Sequence, residues 1–399
     1  MPLTLPQVVP TREYRIAKGW RLLFFVLCPI IVAAFVWLPF DVWLDEKTSA
    51  TAAAVITAMS LGLVALFGYG LAAALRYRLV VGPDRITERN AFPFRSKELL
   101  FEDIKGFRVD QNYTFIEPRR KGLPKLSYVL EQFDELQRWL YMHFNDLAAL
   151  QQQEEEQRIL ADDTLGSTTD ERAAKLAAAR KTATIVNVAG GVAGAWLFLQ
   201  PEPYRWATAA GLLVPLAAAG TLWLHPGVLR LGDRKSSAYP SISPALIFPS
   251  LGLILRSLFD QELVRMAPLW PLVGVVAALL AVALLLGNRQ TLRQRGTALM
   301  TISTAVFCAA LYGYGATTMY NAAFDEAEPA VHLAKVLKKH KSSGRTTTYN
   351  LTVTPWGPIK KVEDVQVSRA YYEQTQPGDS VSILLMSGRL DLPWYTVGE

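Results

Sequence analysis

Six runs of about twenty residues carry almost no charge, and these runs decide what the chain can fold into. A helix needs about 20 apolar residues to cross a hydrocarbon core of about 30 Å. Within that core the backbone must satisfy its own hydrogen bonds, which a helix does and an open sheet does not. The sequence therefore predicts an α-helical polytopic membrane protein. The six runs are 20–40, 51–75, 182–200, 206–225, 269–287 and 297–317.

A seventh run, residues 243–259, is apolar but contains two prolines and one arginine. Lys and Arg in short connections mark the cytoplasmic side of a membrane protein. The connections 226–240 and 288–296 are both basic, so both are expected in the cytoplasm. Since one clear span and the seventh run lie between them, the seventh run should also cross. The alternative is a re-entrant or interfacial segment, which would leave six spans.

The same charge rule orients the whole chain. The basic N-terminal arm is predicted to be cytoplasmic, and seven crossings then place the C-terminus outside. The predicted domains follow from the runs: 1–19 cytoplasmic arm, 20–75 first transmembrane hairpin, 76–147 cytoplasmic β-rich domain, 148–181 cytoplasmic helical linker, 182–317 transmembrane bundle of spans three to seven, and 318–399 extracytoplasmic β domain.

Residues 77–147 show a meander of short strands followed by one helix. YRLVVGPDRIT and LLFEDIKGFRV alternate apolar and polar residues around turn sequences. From Phe133 to Leu147 apolar residues recur at steps of three and four, with Trp139 beside them, as in an amphipathic helix. Together these features resemble the bacterial pleckstrin-homology (PH) domain. The resemblance implies a curled sheet closed by a helix, a binding or assembly role, and a bacterial inner membrane.

The basic residues of this domain are not where lipid-phosphate-binding PH domains carry them. The first hairpin loop, VVGPDRITE, has only Arg85 beside two acidic residues, so inositol-phosphate recognition is not expected. The basic cluster is PRRKGLPK instead. It is a candidate contact for anionic lipid or a protein partner, and the alternative is a solvated hairpin loop. Its residues are Arg119, Arg120, Lys121 and Lys125.

The segment after the last run is soluble in pattern. Apolar residues alternate over 349–353 and 381–385, and Gly, Pro and Asp mark the turns between them. Four to five short strands in about seventy residues predict a small β-barrel or sandwich. Its aromatic residues are expected either to line an outer ligand groove or to fill the core. They are Trp356, Trp394 and Tyr395.

Two features inside the predicted bundle bear on function. Arg256 is the only charge well inside a predicted span, and Pro244 and Pro249 precede it. Either Arg256 snorkels to the outer interface, or the prolines break the helix and form a functional, water-lined site. Gly190 and Gly194 give one small-residue face for close helix packing, through which an oligomer is also possible.

No pattern of catalytic residues is present in the sequence. Neither metal-binding spacings nor a phosphate-cradling Gly-Lys loop occurs, so we expect no enzyme, cofactor or metal. Cys28 and Cys308 lie in apolar runs and are expected to be core residues. The formal net charge of +6 is explained by basic cytoplasmic connections, so nucleic acid is not an expected partner.

These patterns favour a non-enzymatic bacterial inner-membrane protein in contact with the lipid bilayer. We expect it to bind or scaffold protein partners through its cytoplasmic and outer β domains, in envelope signalling or stress response. The alternative is a transporter or channel that uses the proline-broken fifth span and Arg256. A third hypothesis is an envelope immunity protein.

Overall fold

The structure is a computed structural model that describes residues 11–44, 49–89, 97–109, 113–118, 125–127, 129–232, 237–293, 297–343 and 347–398. The chain folds into two compact units, Met1–Glu154 and Glu155–Glu399. Helices in the described residues are α1 (Lys18–Leu44), α2 (Ala50–Arg76), α3 (Phe133–His143), α4 (Leu147–Ala161), α5 (Thr169–Leu199), α6 (Tyr204–Leu224), α7 (Ser243–Asp260), α8 (Leu269–Gly287), α9 (Arg289–Leu292), α10 (Ala298–Ala323) and α11 (Arg369–Gln374).

Six of these helices are long and apolar enough to cross a membrane: α1, α2, α5, α6, α8 and α10. The predicted mostly helical chain with several apolar helices of membrane-spanning length is confirmed, and it agrees with a multi-pass membrane protein. The strands of the described chain are β1 (Arg12–Arg15), β2 (Arg78–Val81), β3 (Arg85–Arg89), β4 (Lys97–Leu100), β5 (Ile104–Val109), β6 (Tyr113–Pro118), β7 (Lys125–Ser127), β8 (Glu262–Leu263), β9 (Ala330–Ser343), β10 (Thr347–Val353), β11 (Glu363–Val367), β12 (Ser380–Met386) and β13 (Trp394–Gly398).

In the first unit, α1 and α2 form an antiparallel hairpin. The Phe35 and Phe67 rings stack with centroids 6.4 Å apart, and Trp43 Nε1 donates to Thr57 Oγ1 at 3.0 Å. Most other side chains of the pair are exposed, since only 6% and 11% of the two apolar segments are buried. Exposed apolar surface of this extent is expected where lipid tails are the solvent.

The soluble part of the first unit consists of two small antiparallel sheets and a helix. β1, β2, β3 and β4 form one sheet in chain order, and β5, β6 and β7 form the other. The apolar face of α3, with Leu136 and Leu140, packs against Leu79 and Phe107 in one core. We call this part the N-terminal module.

Strand β1 belongs to this module although it precedes the membrane hairpin. It pairs antiparallel with β2 from Arg12 opposite Val81 to Arg15 opposite Arg78, and Tyr14 is buried in the module core. The hairpin is therefore inserted between the first and second strands of one module. The sequence had suggested only a basic arm here, because REYR contains a single apolar residue and shows no strand period by itself.

In the second unit, α5, α7 and α10 run in one direction. Gly190 of α5 lies against Ala245 near the start of α7, and Leu197 near the end of α5 is reached by Arg256 near the end of α7. Helix α7 is not among the six apolar helices, yet it extends along α5 over this distance.

Helices α6 and α8 run in the opposite direction. Tyr204 at the start of α6 reaches Asp260 at the end of α7. Leu222 near the end of α6 packs on Gly287 at the end of α8. The five helices thus form an up-and-down bundle.

Helix α7 is continuous, and neither of its prolines breaks it. Pro244 lies in the first turn, where the missing N–H has no intrahelical acceptor in any case. Pro249 lies inside the helix and is buried. At the start of α7 the Asn187 side chain of α5 accepts a hydrogen bond from Ala245 N at 3.2 Å. The expectation of a proline-broken helix is corrected: α7 runs from Ser243 to Asp260 through Pro249, although an internal proline removes one backbone hydrogen bond and crowds the carbonyl four residues before it.

The small-residue face of α5 packs against α7 of the same chain. A Cβ on Gly190 would lie 2.5 Å from Ala245 Cα, and one on Gly194 would lie 2.7 Å from Phe248 O. The predicted close packing is observed, but its partner is intramolecular. This face is covered and is not free to pair with a second copy of the chain.

The C-terminal residues form the predicted β-rich region. Its sheet has the order β11-β10-β9-β12-β13-β8, and the long β9 pairs with β12 along its first part and β10 along its second. The strands surround one apolar core, so the sheet is curled into a partly open barrel. The short β8, which follows α7 directly, ties the bundle to this barrel by pairing with β13.

Replacement of Gly194 by Val is expected to destabilise the bundle by about 1–3 kcal/mol, because the added carbons must displace the backbone of α7. The measurement is thermal unfolding of the purified protein in detergent. Gly191→Val is the matched control, since nothing lies within 4 Å of a Cβ there. Equal unfolding temperatures for the two variants would contradict the close α5–α7 contact.

Candidate functional site

The end of α7, where the bundle meets the barrel, brings several polar side chains together. Arg256 Nε donates to Leu197 O at 2.5 Å, and its Nη2 donates to Phe198 O at 2.9 Å. These carbonyls belong to the last turn of α5, where no intrahelical N–H is available. Arg256 therefore caps the end of a neighbouring helix.

The carboxylate of Asp260 balances the charge of Arg256. Arg256 Nη1 donates to Asp260 Oδ1 at 3.2 Å, and Tyr204 OH donates to Asp260 Oδ2 at 3.1 Å. The Arg256 side chain is only 20% exposed. Its three nitrogens all make hydrogen bonds within the protein, so the group joins α5, α6 and α7. This geometry supports a structural role for Arg256, the residue on which the transport alternative depends.

Beyond Asp260 the chain enters a cleft of about 430 Å³ between the end of α7 and the barrel. Strands β11 and β13 form its other walls. Leu258 and Phe259 of α7 line it and are largely exposed. The buried Gln261 donates through Nε2 to Thr318 O at 3.3 Å. The cleft is open, with backbone edges on one side and apolar side chains on the other.

The carboxylates of Glu262 and Glu363 lie near the Tyr395 phenol beside this cleft. The Tyr395 hydroxyl donates to Glu262 Oε2. Burial raises the pKa of the Tyr395 phenol, and its hydrogen bond to Glu262 raises it further, so Tyr395 remains a donor. Burial also raises the pKa of the Glu363 carboxyl; Tyr395 opposes this shift, while Glu262 and Asp364 add to it.

The three aromatic residues proposed for an outer groove do not form one surface. Trp356 and Tyr395 are buried in the barrel core, with ring centroids 4.8 Å apart in an edge-on contact. Trp394 points to the other face of β13 and donates through Nε1 to Asp325 Oδ2 at 3.3 Å. Only Tyr395 also borders the cleft.

The sequence reasoning missed the residue that fixes the barrel to the end of α10. Asn321 is fully buried; its Nδ2 donates to Leu392 O at 2.9 Å and its Oδ1 accepts from Leu390 N at 2.9 Å. Asp325 Oδ2 accepts from Gly388 N at 2.7 Å. Gly388 has φ +78°, and a Cβ there would lie 2.4 Å from Asn321 Oδ1. The signal in the sequence that could have identified Asn321 is an amide side chain in the last turn of an apolar helix.

The predicted basic cluster cannot be placed as a site. Arg119, Arg120 and Lys121 lie outside the described residues. Lys125 is the first residue of β7, and its backbone alone is described. The lipid or partner contact of this cluster remains a prediction.

Within the described ranges no group of three or more His, Cys, Asp or Glu side chains could hold a metal ion. No protein-family model, curated protein or solved structure matches the chain. The interpretation of the cleft and of the Arg256 cluster therefore depends on their own geometry.

Arg256→Leu is expected to lower the free energy of unfolding by about 2 kcal/mol, because two carbonyls of α5 and the Asp260 carboxylate lose a charged donor. Thermal unfolding in detergent measures the change. Arg205→Leu is the control, since its ion pair with Glu326 is exposed at the same end of the bundle and exposed pairs contribute little. A stable Arg256→Leu protein with altered solute flux would favour transport instead.

Proposed function

We propose that the protein is a non-catalytic, multi-pass bacterial inner-membrane scaffold that binds protein partners through its N-terminal module and its C-terminal barrel. The N-terminal module is taken to be PH-like. What supports this is the arrangement of four strands and three strands in two sheets, followed by a helix that packs into their shared core. Such modules carry binding or assembly roles.

The observation that carries the scaffold proposal is the use of polar side chains within the bundle. Arg256 caps α5, and Asn187 Nδ2 donates to Ser241 O at 2.8 Å. Asn288 accepts from Leu231 N at 3.1 Å and donates to Leu284 O at 2.9 Å. These groups hold backbone ends and connections in place. Ionisable side chains of a transport path would instead face a water-filled cavity.

Seven crossings are part of the proposal, with the N-terminal module in the cytoplasm and the barrel outside. The support is the course of the chain between α6 and α8. The end of α6 lies beside the end of α8, whereas Leu269 at the start of α8 packs against Leu392 of the barrel region. Residues 225–268 must therefore pass from one end of the bundle to the other, and α7 provides that passage. The basic connections agree with this orientation.

We assign the partner site of the barrel to the cleft at the end of α7. Strand β11 is an edge of the sheet, and β13 pairs with β8 only at Trp394 and Tyr395. Backbone donors and acceptors on such edges pair readily with an added strand. The exposed Leu258 and Phe259 supply apolar contacts beside them. An extended peptide segment of a partner protein matches this combination.

A photo-crosslinking residue at Gln366, which lines the cleft, is expected to capture a partner of defined mass in intact cells. The same residue at Lys338, exposed on the outer face of β9, is the control and should give no such product. Mass spectrometry identifies the captured segment. Identical products from the two positions, or none from Gln366, would contradict partner binding in the cleft.

A cysteine at Lys361 of the barrel is expected to react with a membrane-impermeant maleimide in intact cells, because seven crossings leave the barrel outside. A cysteine at Lys97 of the N-terminal module should react only after permeabilisation. Cys28 and Cys308 are buried and give a low background. Labelling of both positions from the same side would require an even number of crossings.

A further inference from the structure

The N-terminal module meets the membrane hairpin at the ends of two paired strands. β1 ends at Arg15, and α1 begins at Lys18. α2 ends at Arg76, and β2 begins at Arg78. These strand ends are therefore held where the hairpin enters the bilayer, by the chain itself.

Three arginines lie side by side at this place. Arg15 is opposite Arg78, and Arg78 is opposite Arg89, so the three share one register across β1, β2 and β3. Their neighbours Tyr14, Leu79 and Glu88 are buried. Since side chains alternate along a strand, the three arginines point to the outer face, and all three are exposed. We call this group the arginine row.

The negative charges of the neighbouring side chains do not fully balance the positive charge of the arginine row. Like charges directly opposite one another in a sheet are destabilising. Glu13 is shared by two ion pairs, because its Oε1 lies 3.0 Å from Arg15 Nε and 3.2 Å from Arg78 Nη1. Arg89 has no ion pair among the described residues. Glu88 does not balance the row, because it faces the core, where burial raises the pKa of its carboxyl.

The arginine row lies at the depth of the lipid headgroups. α1 and α2 have 27 residues each, and a helix of that size is about 40 Å long. A bilayer including its headgroups is about 40–45 Å thick. The helix ends thus reach the headgroup layer, and Arg15 and Arg78 follow within three residues. Adjacent strands are about 4.8 Å apart, so the row spans about 10 Å.

We propose that the row of Arg15, Arg78 and Arg89 binds the phosphate of an anionic phospholipid where the hairpin leaves the bilayer. Guanidinium groups bind phosphate oxygens through paired N–H donors, and Arg89 and the unshared donors of Arg78 are available for this. The headgroup supplies the negative charge that the row lacks. The proposal needs α1 and α2 to cross the membrane and does not depend on partner binding by either module.

The test uses the full-length protein in detergent with equal amounts of phosphatidylglycerol and phosphatidylcholine, and native mass spectrometry counts the retained lipids. Wild-type protein should retain phosphatidylglycerol preferentially. Arg78→Gln with Arg89→Gln should lower that preference about 30-fold, corresponding to about 1 kcal/mol for each charge near the surface. The matched control is Arg12→Gln with Arg85→Gln, at the far ends of the same strands.

A second variant, with one substitution, distinguishes the loss of charge from misfolding as the cause of a lower lipid preference. Arg89→Gln alone breaks no ion pair among the described residues, so it should unfold at the wild-type temperature and lower the preference about fivefold, or about 1 kcal/mol. Equal phosphatidylglycerol retention by the row variants and the control would overturn the proposal. So would displacement of the lipid by millimolar inorganic phosphate, because the row would then be a site for soluble phosphate.

Discussion

The bundle depends on how its helix ends satisfy their backbone polar groups. A helix leaves carbonyls unpaired at its end and N–H groups unpaired at its start, and neither can be left without partners away from water. Arg256 supplies donors to the end of α5, and Asn187 supplies an acceptor to the start of α7. Both contacts join α5 to α7, which also touch through Gly190 and Gly194. This helix pair is thus held at both ends and along its length.

Pairing of backbone groups also explains how the N-terminal module and the barrel are attached to the helices next to them. In the N-terminal module, β1 is joined to β2 although 62 residues of membrane hairpin and flanking chain separate Arg15 from Arg78. In the barrel, β8 extends the sheet from the end of α7. Each soluble part is therefore tied to its neighbouring helices by strand pairing as well as by chain connection.

Much of the architecture was predictable because it depends on local periodicity. The apolar runs identified six helices, and the alternation around Leu351 and Ile383 identified strands of the barrel. The site was less predictable. Arg256 stood out as a charge in an apolar run, but its role as a cap depends on the position of α5. Asn321 gave only a weak signal, because an amide in a helix acquires its function from the loop that packs on it.

By itself, the sequence determined that the chain is a membrane protein with a β-rich C-terminal region, since hydropathy and strand period are properties of neighbouring residues. Only the tertiary structure decided that Gly190 and Gly194 face α7, that Trp356 and Tyr395 fill a core, and that Arg15, Arg78 and Arg89 form one row. Each of these facts joins residues far apart in the chain. Their physical cause is packing and register between separate elements, which the local pattern of either element does not contain.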